Sequence, residues 1–173
     1  NLDNQRRDHH KGVAKILKFL GCGSAFNPIW GNTCAYFQLD SRLFLIDCGE
    51  TVFSELFERK MLEQYTEIYV LITHTHGDHV GSLGSLISYS HYVLKKKVIV
   101  VYPESSLQKL LDLMGIGRNA YTLRECSTTT FHGINIEAIA VKHASDIKSY
   151  GYIITTDLQT LYYSGDSYEI PES

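Results

Sequence analysis

Several features that would assign a protein to a familiar class are missing from this sequence. No apolar run approaches the roughly 20 residues that a membrane-spanning helix needs, so no association with a membrane is expected. The formal net charge of −3 gives no support to nucleic-acid binding through bulk charge, although a local basic groove stays open. The four cysteines form no Cys-x-x-Cys pair, which favours reduced thiols in a cytoplasmic protein over a disulfide framework.

Internal linkers, repeats and low-complexity segments are also missing. Residues 1–12 are polar and lack the apolar core of a secretory signal, so they are predicted to form a flexible leader. Residues 13–173 are predicted to form one domain, long enough to bury a sizeable core. A chain with 44% hydrophobic and 20% charged residues is ordinary for a soluble globular protein.

Strand-like and helix-like patterns follow one another along this domain. Short apolar segments typical of strands occur at residues 14–21, 32–40, 41–49, 67–73, 97–102, 122–126, 134–143, 151–157 and 160–166. Apolar residues at helical spacing occur at residues 50–64, 79–95 and 103–117. A hairpin turn is expected at Asp40-Ser41, and other neighbouring strands are also joined by short turns. The pattern therefore predicts a mixed sheet or two packed sheets with helices outside.

The segment THTHGDH, residues 73–79, holds the densest group of chemically active side chains. His74 and His76 lie two residues apart at the predicted end of a strand, which would place both side chains on one face. Asp78 and His79 follow where the next helix is predicted to start. A solvated loop that happens to hold histidines is the alternative. Four ligand-type side chains in such a short span favour a bound cation such as zinc, because neutral imidazole and carboxylate are good zinc ligands.

The segment HTHGDH matches the His-x-His-x-Asp-His signature of the metallo-β-lactamase superfamily. Further segments resemble that family in the expected order: FLIDCGE at 44–50, VKHASDIKSYGYII at 141–154 and YYSGDS at 162–167. The segment KFLGCGSAFNP and the His…Tyr-Gly-Tyr pattern are most similar to the ribonuclease Z and phosphodiesterase branch. The resemblance implies an α/β (α+β) fold, an αββα sandwich of two mixed sheets with helices outside.

The same resemblance implies a site for two divalent metal ions. His74, His76 and His143 would hold one metal ion, and Asp78 and His79 would hold the second. Zinc is the expected metal, with manganese as the alternative. Two cations about 4 Å apart can share a water molecule and lower its pKa towards neutrality, which yields a hydroxide nucleophile.

Two aspartates complete the implied site. Asp166 would bridge both metal ions, and Asp47 would orient a ligand histidine through a hydrogen bond. An aspartate that caps a turn at a strand end is the alternative for Asp47. Asp78, besides being a ligand, is the expected catalytic residue that orients the nucleophile. The remaining histidines are interpreted as non-ligands: His9, His10, His91 and His132.

The family pattern includes one more metal-site histidine after the bridging aspartate, but no histidine follows His143. We expect the sequence to be a fragment of a longer protein whose second half is incomplete. Completion of the site by another chain, as in a homodimer, is one alternative. A degenerate protein that binds metal poorly is the other.

Two further departures concern the substrate. Residues 144–165 leave no room for the long arm with which ribonuclease Z grips transfer RNA, and Gly31 stands where the branch has arginine. Both favour a nucleotide or small phosphodiester, such as a cyclic nucleotide or short oligonucleotide, with RNA as an alternative partner. Trp30 offers a stacking face for a base, unless it packs against its neighbours.

The expected function is therefore a dinuclear metal-dependent phosphodiesterase. Two other functions stay open on the same fold, because a fold does not by itself define an activity. One is the hydrolysis of another ester, a thioester or a lactam. The other is a non-catalytic domain that binds metal or nucleotide.

Overall fold

Residues 17–169, which the computed structural model describes, form ten strands in two sheets. The predicted leader at residues 1–12 lies outside this range, as does the beginning of the first predicted strand. Within the described range, no helix combines the length and the apolar character needed to cross a membrane.

The first sheet contains six strands in sequential order. They are β1 (Lys18–Gly21), β2 (Cys34–Leu39), β3 (Arg42–Ile46), β4 (Glu67–Leu71), β5 (Val98–Val101) and β6 (Tyr121–Arg124). Pairing is antiparallel from β1 to β3 and parallel from β3 to β6. The hairpin predicted at Asp40-Ser41 is confirmed: Leu39 pairs with Arg42, and Asp40 takes a φ of 51°, which aspartate tolerates better than most residues.

Helices connect the parallel strands of this sheet. They are α1 (Val52–Glu58), α2 (Gly77–Val80), α3 (Leu83–Tyr92) and α4 (Ser106–Leu113). The single helix predicted at residues 79–95 is wrong, because α2 and α3 are separate. Ser82, between them, accepts a hydrogen bond from the Phe53 backbone N–H and donates one to the Gly49 carbonyl. These bonds tie the break between the helices to the segment that follows β3.

The second sheet contains four antiparallel strands. They are β7 (Thr128–Phe131), β8 (Ile134–Val141), β9 (Ser149–Thr155) and β10 (Thr160–Tyr163), arranged in the order β10-β9-β8-β7. The sequence pattern does not predict β7, because its threonines carry no apolar alternation. A tight turn at His132 and Gly133, with φ values of 49° and 82°, folds β7 back onto β8.

The two sheets share one hydrophobic core. Tyr69 of β4 stacks on Phe44 of β3 and also contacts Phe131 of β7 in the second sheet. Tyr152 of β9 is fully buried and donates hydrogen bonds to the backbone carbonyls of Ile72 and Val101. The predicted two-sheet sandwich is confirmed, except that the second sheet is antiparallel and not mixed. Over residues 17–169, all helices follow strands of the first sheet and none follows a strand of the second.

Candidate metal centre

The histidine-rich segment lies in a loop. Strand β4 ends at Leu71, so His74 and His76 lie between β4 and α2 and not at the strand end as predicted. The alternation of a strand therefore does not explain why their side chains meet. The loop is shaped instead by backbone bonds, since the N–H groups of His79 and Val80 both donate to the His76 carbonyl at 3.0 Å.

The segment after β3 packs directly against this loop. The Cys48 N–H donates to the His79 carbonyl at 2.7 Å. A Cβ atom added at Gly49 would lie 1.9 Å from the Asp78 carbonyl oxygen, so only glycine allows this close approach. The site is thus built where two chain segments meet backbone to backbone.

Asp47 is fully buried in this contact and has a φ of 68°, which is rare for a residue other than glycine. Its Oδ1 accepts a hydrogen bond from the Thr73 backbone N–H at 2.7 Å. Its Oδ2 lies 2.8 Å from both Thr73 Oγ1 and His79 Nδ1. Burial raises the pKa of Asp47, although the bonds from His79 and Thr73 oppose that rise. An unusual backbone conformation with this many partners is typical of a functional position.

One group of ligand-type atoms comes from both sheets. The structure brings His74 and His76, from the loop after β4, together with His143, which follows β8. His76 Nδ1 lies 3.0 Å from His74 Nε2 and 3.4 Å from His143 Nε2. One ligand atom from each residue lies within 4.8 Å of the others. The buried Nδ1 of His143 has no hydrogen-bond partner among residues 17–169.

A second group overlaps the first at His74 and adds His79 and Asp166. His79 Nε2 lies 3.2 Å from an oxygen of Asp78 and 3.3 Å from Asp166 Oδ2. The same Asp166 oxygen lies 3.9 Å from His143 Nε2. Asp166 therefore stands beside a nitrogen atom from each group.

The electrostatics of the two groups differ. Burial and the charge of His79 lower the pKa of His74 to about 3, so this ring is neutral. Burial also disfavours charge on His79, but hydrogen bonds to Asp166 and Asp47 outweigh it and raise the pKa of His79 to about 10. The hydrogen bond from His79 lowers the pKa of Asp166.

These residues fit a divalent cation. Neutral imidazole and ionised carboxylate are ligands that zinc accepts, and the groups converge from separate elements within bonding reach of a common ion. The individual ligand roles stay a prediction.

Other residues singled out from the sequence lie elsewhere. His132 Nε2 is 3.0 Å from the Tyr69 hydroxyl, and His91 packs beside Tyr92, so neither joins the two groups. Trp30 is 66% exposed, which contradicts the alternative that it packs against its neighbours. Sequence reasoning overlooks Thr73, because no local signal distinguishes it from an ordinary threonine after a strand.

Comparison with known proteins places this geometry in a family. Residues 15–173 match the family model described as Anti-Pycsar protein Apyc1. The Anti-Pycsar protein Apyc1 of Saccharibacillus brassicae is 28% identical over 173 residues, covering 90% of this chain and 69% of that protein. A Ribonuclease Z of Methanocaldococcus jannaschii is 30% identical over 159 residues, covering 82% of this chain and 47% of that protein. The chain thus spans only part of the length of these relatives.

Solved structures show the same fold. Human tRNase Z, short form, superposes with a TM-score of 0.68 at 19% identity, covering 90% of this chain and 70% of that one. The metallo-beta-lactamase fold protein YhfI from Bacillus subtilis gives a TM-score of 0.70 at 19% identity, covering 86% and 61%. The chain has the metallo-β-lactamase fold, in the branch that includes ribonuclease Z, and it belongs to the Anti-Pycsar protein Apyc1 family.

Proposed function

We propose that this chain carries the metal centre of a dinuclear metal-dependent phosphodiesterase. The observation that carries the proposal is the overlap of two ligand-type groups at His74, with one oxygen of Asp166 beside both His79 and His143. A single ligand group would serve one ion. Two groups that share a histidine and a neighbouring carboxylate suit a pair of ions held close together.

In this proposal, His74, His76 and His143 hold one cation, and Asp78 and His79 contribute to the second. Zinc suits the mixture of imidazole and carboxylate, and manganese is the alternative. The two cations would supply activation of a water molecule and neutralisation of charge on the phosphoryl oxygens.

Three aspartates have separate roles in the proposed site. Asp166 offers an oxygen to both cations, since Oδ2 already lies 3.3 Å from His79 Nε2 and 3.9 Å from His143 Nε2. Asp78 lies beside His79 Nε2 at 3.2 Å, where its carboxylate can accept a hydrogen bond from the attacking water and orient it. Asp47 holds His79 from behind through the 2.8 Å contact with Nδ1.

Exposure of the site is one-sided, which suits a substrate that binds from solvent. The side chain of His79 is 3% exposed, whereas that of Asp166 is 40% exposed. Water is therefore excluded behind the histidines, and the face beside Asp166 is open. A phosphodiester can approach the metal positions from that face, with its anionic phosphoryl oxygens directed at the cations.

A small phosphodiester, such as a cyclic nucleotide or a short oligonucleotide, is the proposed substrate class. The segment between His143 and Asp166 is occupied by β9 and β10, which pair antiparallel, so no extended arm for transfer RNA fits there. Trp30 presents an exposed ring that can stack on a base. Relatives named Ribonuclease Z also support phosphodiester chemistry, and RNA stays an alternative substrate. A cytoplasmic location and a homodimer stay predictions.

The test uses the full-length protein loaded with zinc or manganese and a panel of cyclic mononucleotides, short RNA, precursor transfer RNA, a carboxylic ester and a lactam. We expect cleavage of cyclic nucleotides or short oligonucleotides that is lost on chelation and in His143→Ala. His91→Ala is the matched control and should keep activity, because His91 packs beside Tyr92 outside the site.

Two outcomes would overturn the proposal. Hydrolysis of the ester or lactam alone would identify a different hydrolase on this fold. Tight binding of metal without hydrolysis of any substrate would identify a non-catalytic metal-binding domain.

A further inference from the structure

Thr73 is a buried residue directly before the histidine cluster and belongs to neither ligand-type group. It is 1% exposed. Its Oγ1 lies 2.8 Å from Asp47 Oδ2, 3.0 Å from His74 Nδ1 and 3.4 Å from His79 Nδ1. One hydroxyl thus touches three polar groups of the site at once.

The direction of these hydrogen bonds follows from the number of protons. Asp47 accepts from the Thr73 backbone N–H and faces His79 Nδ1, so it acts as an ionised carboxylate that only accepts; the single hydroxyl proton of Thr73 is therefore donated to Asp47 Oδ2. Thr73 Oγ1 must then accept from His74 Nδ1, which therefore carries a proton. His79 Nδ1, 2.8 Å from the same Asp47 oxygen, must also carry a proton.

The opposite direction is unfavourable in this buried setting. If the Thr73 hydroxyl donated to His74 Nδ1, its lone pairs would face Asp47 Oδ2 at 2.8 Å. Two acceptors in contact without a proton between them carry a large penalty away from water.

We infer that Thr73 is a positioning residue that fixes the ring tautomer of His74 and holds the Asp47 carboxylate, which in turn fixes the ring of His79. The resulting chain of hydrogen bonds runs from His74 Nδ1–H to Thr73, from Thr73 to Asp47, and from His79 Nδ1–H to Asp47. In both rings Nδ1 is held by a hydrogen bond, so Nε2 is the nitrogen that faces the proposed metal ion, and His79 releases its Nε2 proton when the ion binds. The inference rests on the metal ligands of the proposed function, but not on which substrate is cleaved.

The positions of the Nε2 atoms agree with this assignment. His74 Nε2 lies 3.0 Å from His76 Nδ1, inside the first group. His79 Nε2 lies 3.2 Å from Asp78 and 3.3 Å from Asp166, inside the second. The hydrogen-bond chain therefore turns the same nitrogen of each ring towards its proposed cation.

The backbone and the methyl group of Thr73 hold its hydroxyl in place. The backbone N–H donates to Asp47 Oδ1 at 2.7 Å, and the carbonyl accepts from the Tyr150 N–H at 2.9 Å. A Cβ atom built on Gly165 would lie 3.3 Å from Thr73 Cγ2, so the methyl group also sits close to the turn before Asp166. Loss of the hydroxyl and loss of the methyl group can therefore be tested separately.

The experiment compares Thr73→Val, which keeps the shape but removes the hydroxyl, with Thr73→Ser, which keeps the hydroxyl. Thr75→Val, in the same loop, is the matched control. Zinc affinity is measured by competition with a chelator. Long-range nitrogen–proton NMR measures the tautomer of His74 with and without zinc, and that of His79 with zinc bound. We expect Thr73→Val to weaken zinc binding about 10–100-fold and to lose the Nδ1-protonated form of His74. Thr73→Ser should stay within a few-fold of the wild type.

The outcomes separate this inference from the proposed function. Unchanged zinc affinity and unchanged tautomers in Thr73→Val would overturn the role of Thr73 while leaving the phosphodiesterase proposal intact. Equal losses in Thr73→Ser and Thr73→Val would assign the effect to packing of the methyl group and also overturn it. If the wild type binds no zinc, the proposed function fails, whereas the His74 tautomer in metal-free protein still decides the role of Thr73.

Discussion

Replacing Asp47 by asparagine tests the buried centre of the site with almost no change in shape. The carboxylate accepts from the Thr73 N–H, the Thr73 hydroxyl and His79 Nδ1. Asparagine offers one acceptor oxygen and one NH₂ donor. If the NH₂ group takes the place of Oδ1, it faces the Thr73 backbone N–H. If it takes the place of Oδ2, it faces the Thr73 hydroxyl and the His79 N–H. In both orientations two donors meet without an acceptor between them.

The expected size of the effect follows from that conflict. An unsatisfied buried polar group costs about 1–3 kcal/mol, so Asp47→Asn should lose about 2 kcal/mol of the free energy of unfolding. For a domain of this size, that loss lowers the melting temperature by about 4–8 °C. Zinc affinity should fall about 10–100-fold, because His79 loses the acceptor that orients its ring.

The assay is denaturant unfolding with and without zinc, together with a zinc competition titration. Asp146→Asn is the control, because Asp146 is exposed in the loop between β8 and β9. It should match the wild type in both measurements. If Asp47→Asn also matched the wild type in stability and zinc affinity, the hydrogen bonds to Asp47 would have no part in building the site.

Three further predictions test other parts of the site. Gly49→Ala should lower zinc occupancy and stability more than Gly115→Ala in parallel titrations and melts. A Cβ on Gly49 would lie 1.9 Å from the Asp78 carbonyl oxygen, whereas a Cβ on Gly115 meets no atom within 4 Å and costs only the strain of its φ of 73°, about 1–2 kcal/mol. Asp166→Ala should lower the number of bound zinc ions and abolish hydrolysis in the full-length protein; two retained ions with full activity would contradict the bridging role. Zinc at 100 times its dissociation constant should raise the free energy of unfolding by about 2.7 kcal/mol, and a chelator should reverse the increase. An unchanged unfolding curve would contradict a metal site that exists only in the folded protein.

The fold could be predicted where the local pattern is strong. Strand β8 shows the alternation of a half-buried strand, with Ile134, Ile136 and Ala138 buried between partly exposed residues. Strand β7 lacks such a pattern. It is extended because it pairs with β8, and a tertiary contact of that kind is not encoded in its own sequence.

The candidate site could be predicted in its residue types and their order, but not in its geometry. The His-x-His-x-Asp-His segment identifies ligand-type residues by chemistry. It does not reveal that His74 and His76 lie beyond the end of β4, where loop hydrogen bonds and not strand alternation bring them together. The role of Thr73 depends on Asp47, 26 residues earlier in the chain, and only the folded backbone brings the two into contact.

Hydrogen bonds of the protein itself join the two sheets beside the site. His74 follows β4 of the first sheet and His143 follows β8 of the second, so a bound cation would link the ends of the two sheets. The sheets are already fixed there by protein bonds: the Tyr150 N–H donates to the Thr73 carbonyl at 2.9 Å, and the Tyr152 hydroxyl donates to the Ile72 carbonyl at 2.7 Å. These bonds order the backbone that carries the ligand-type residues. Metal binding would therefore not have to supply the free energy of ordering that backbone, which leaves more of the metal–ligand interaction energy for binding the ion.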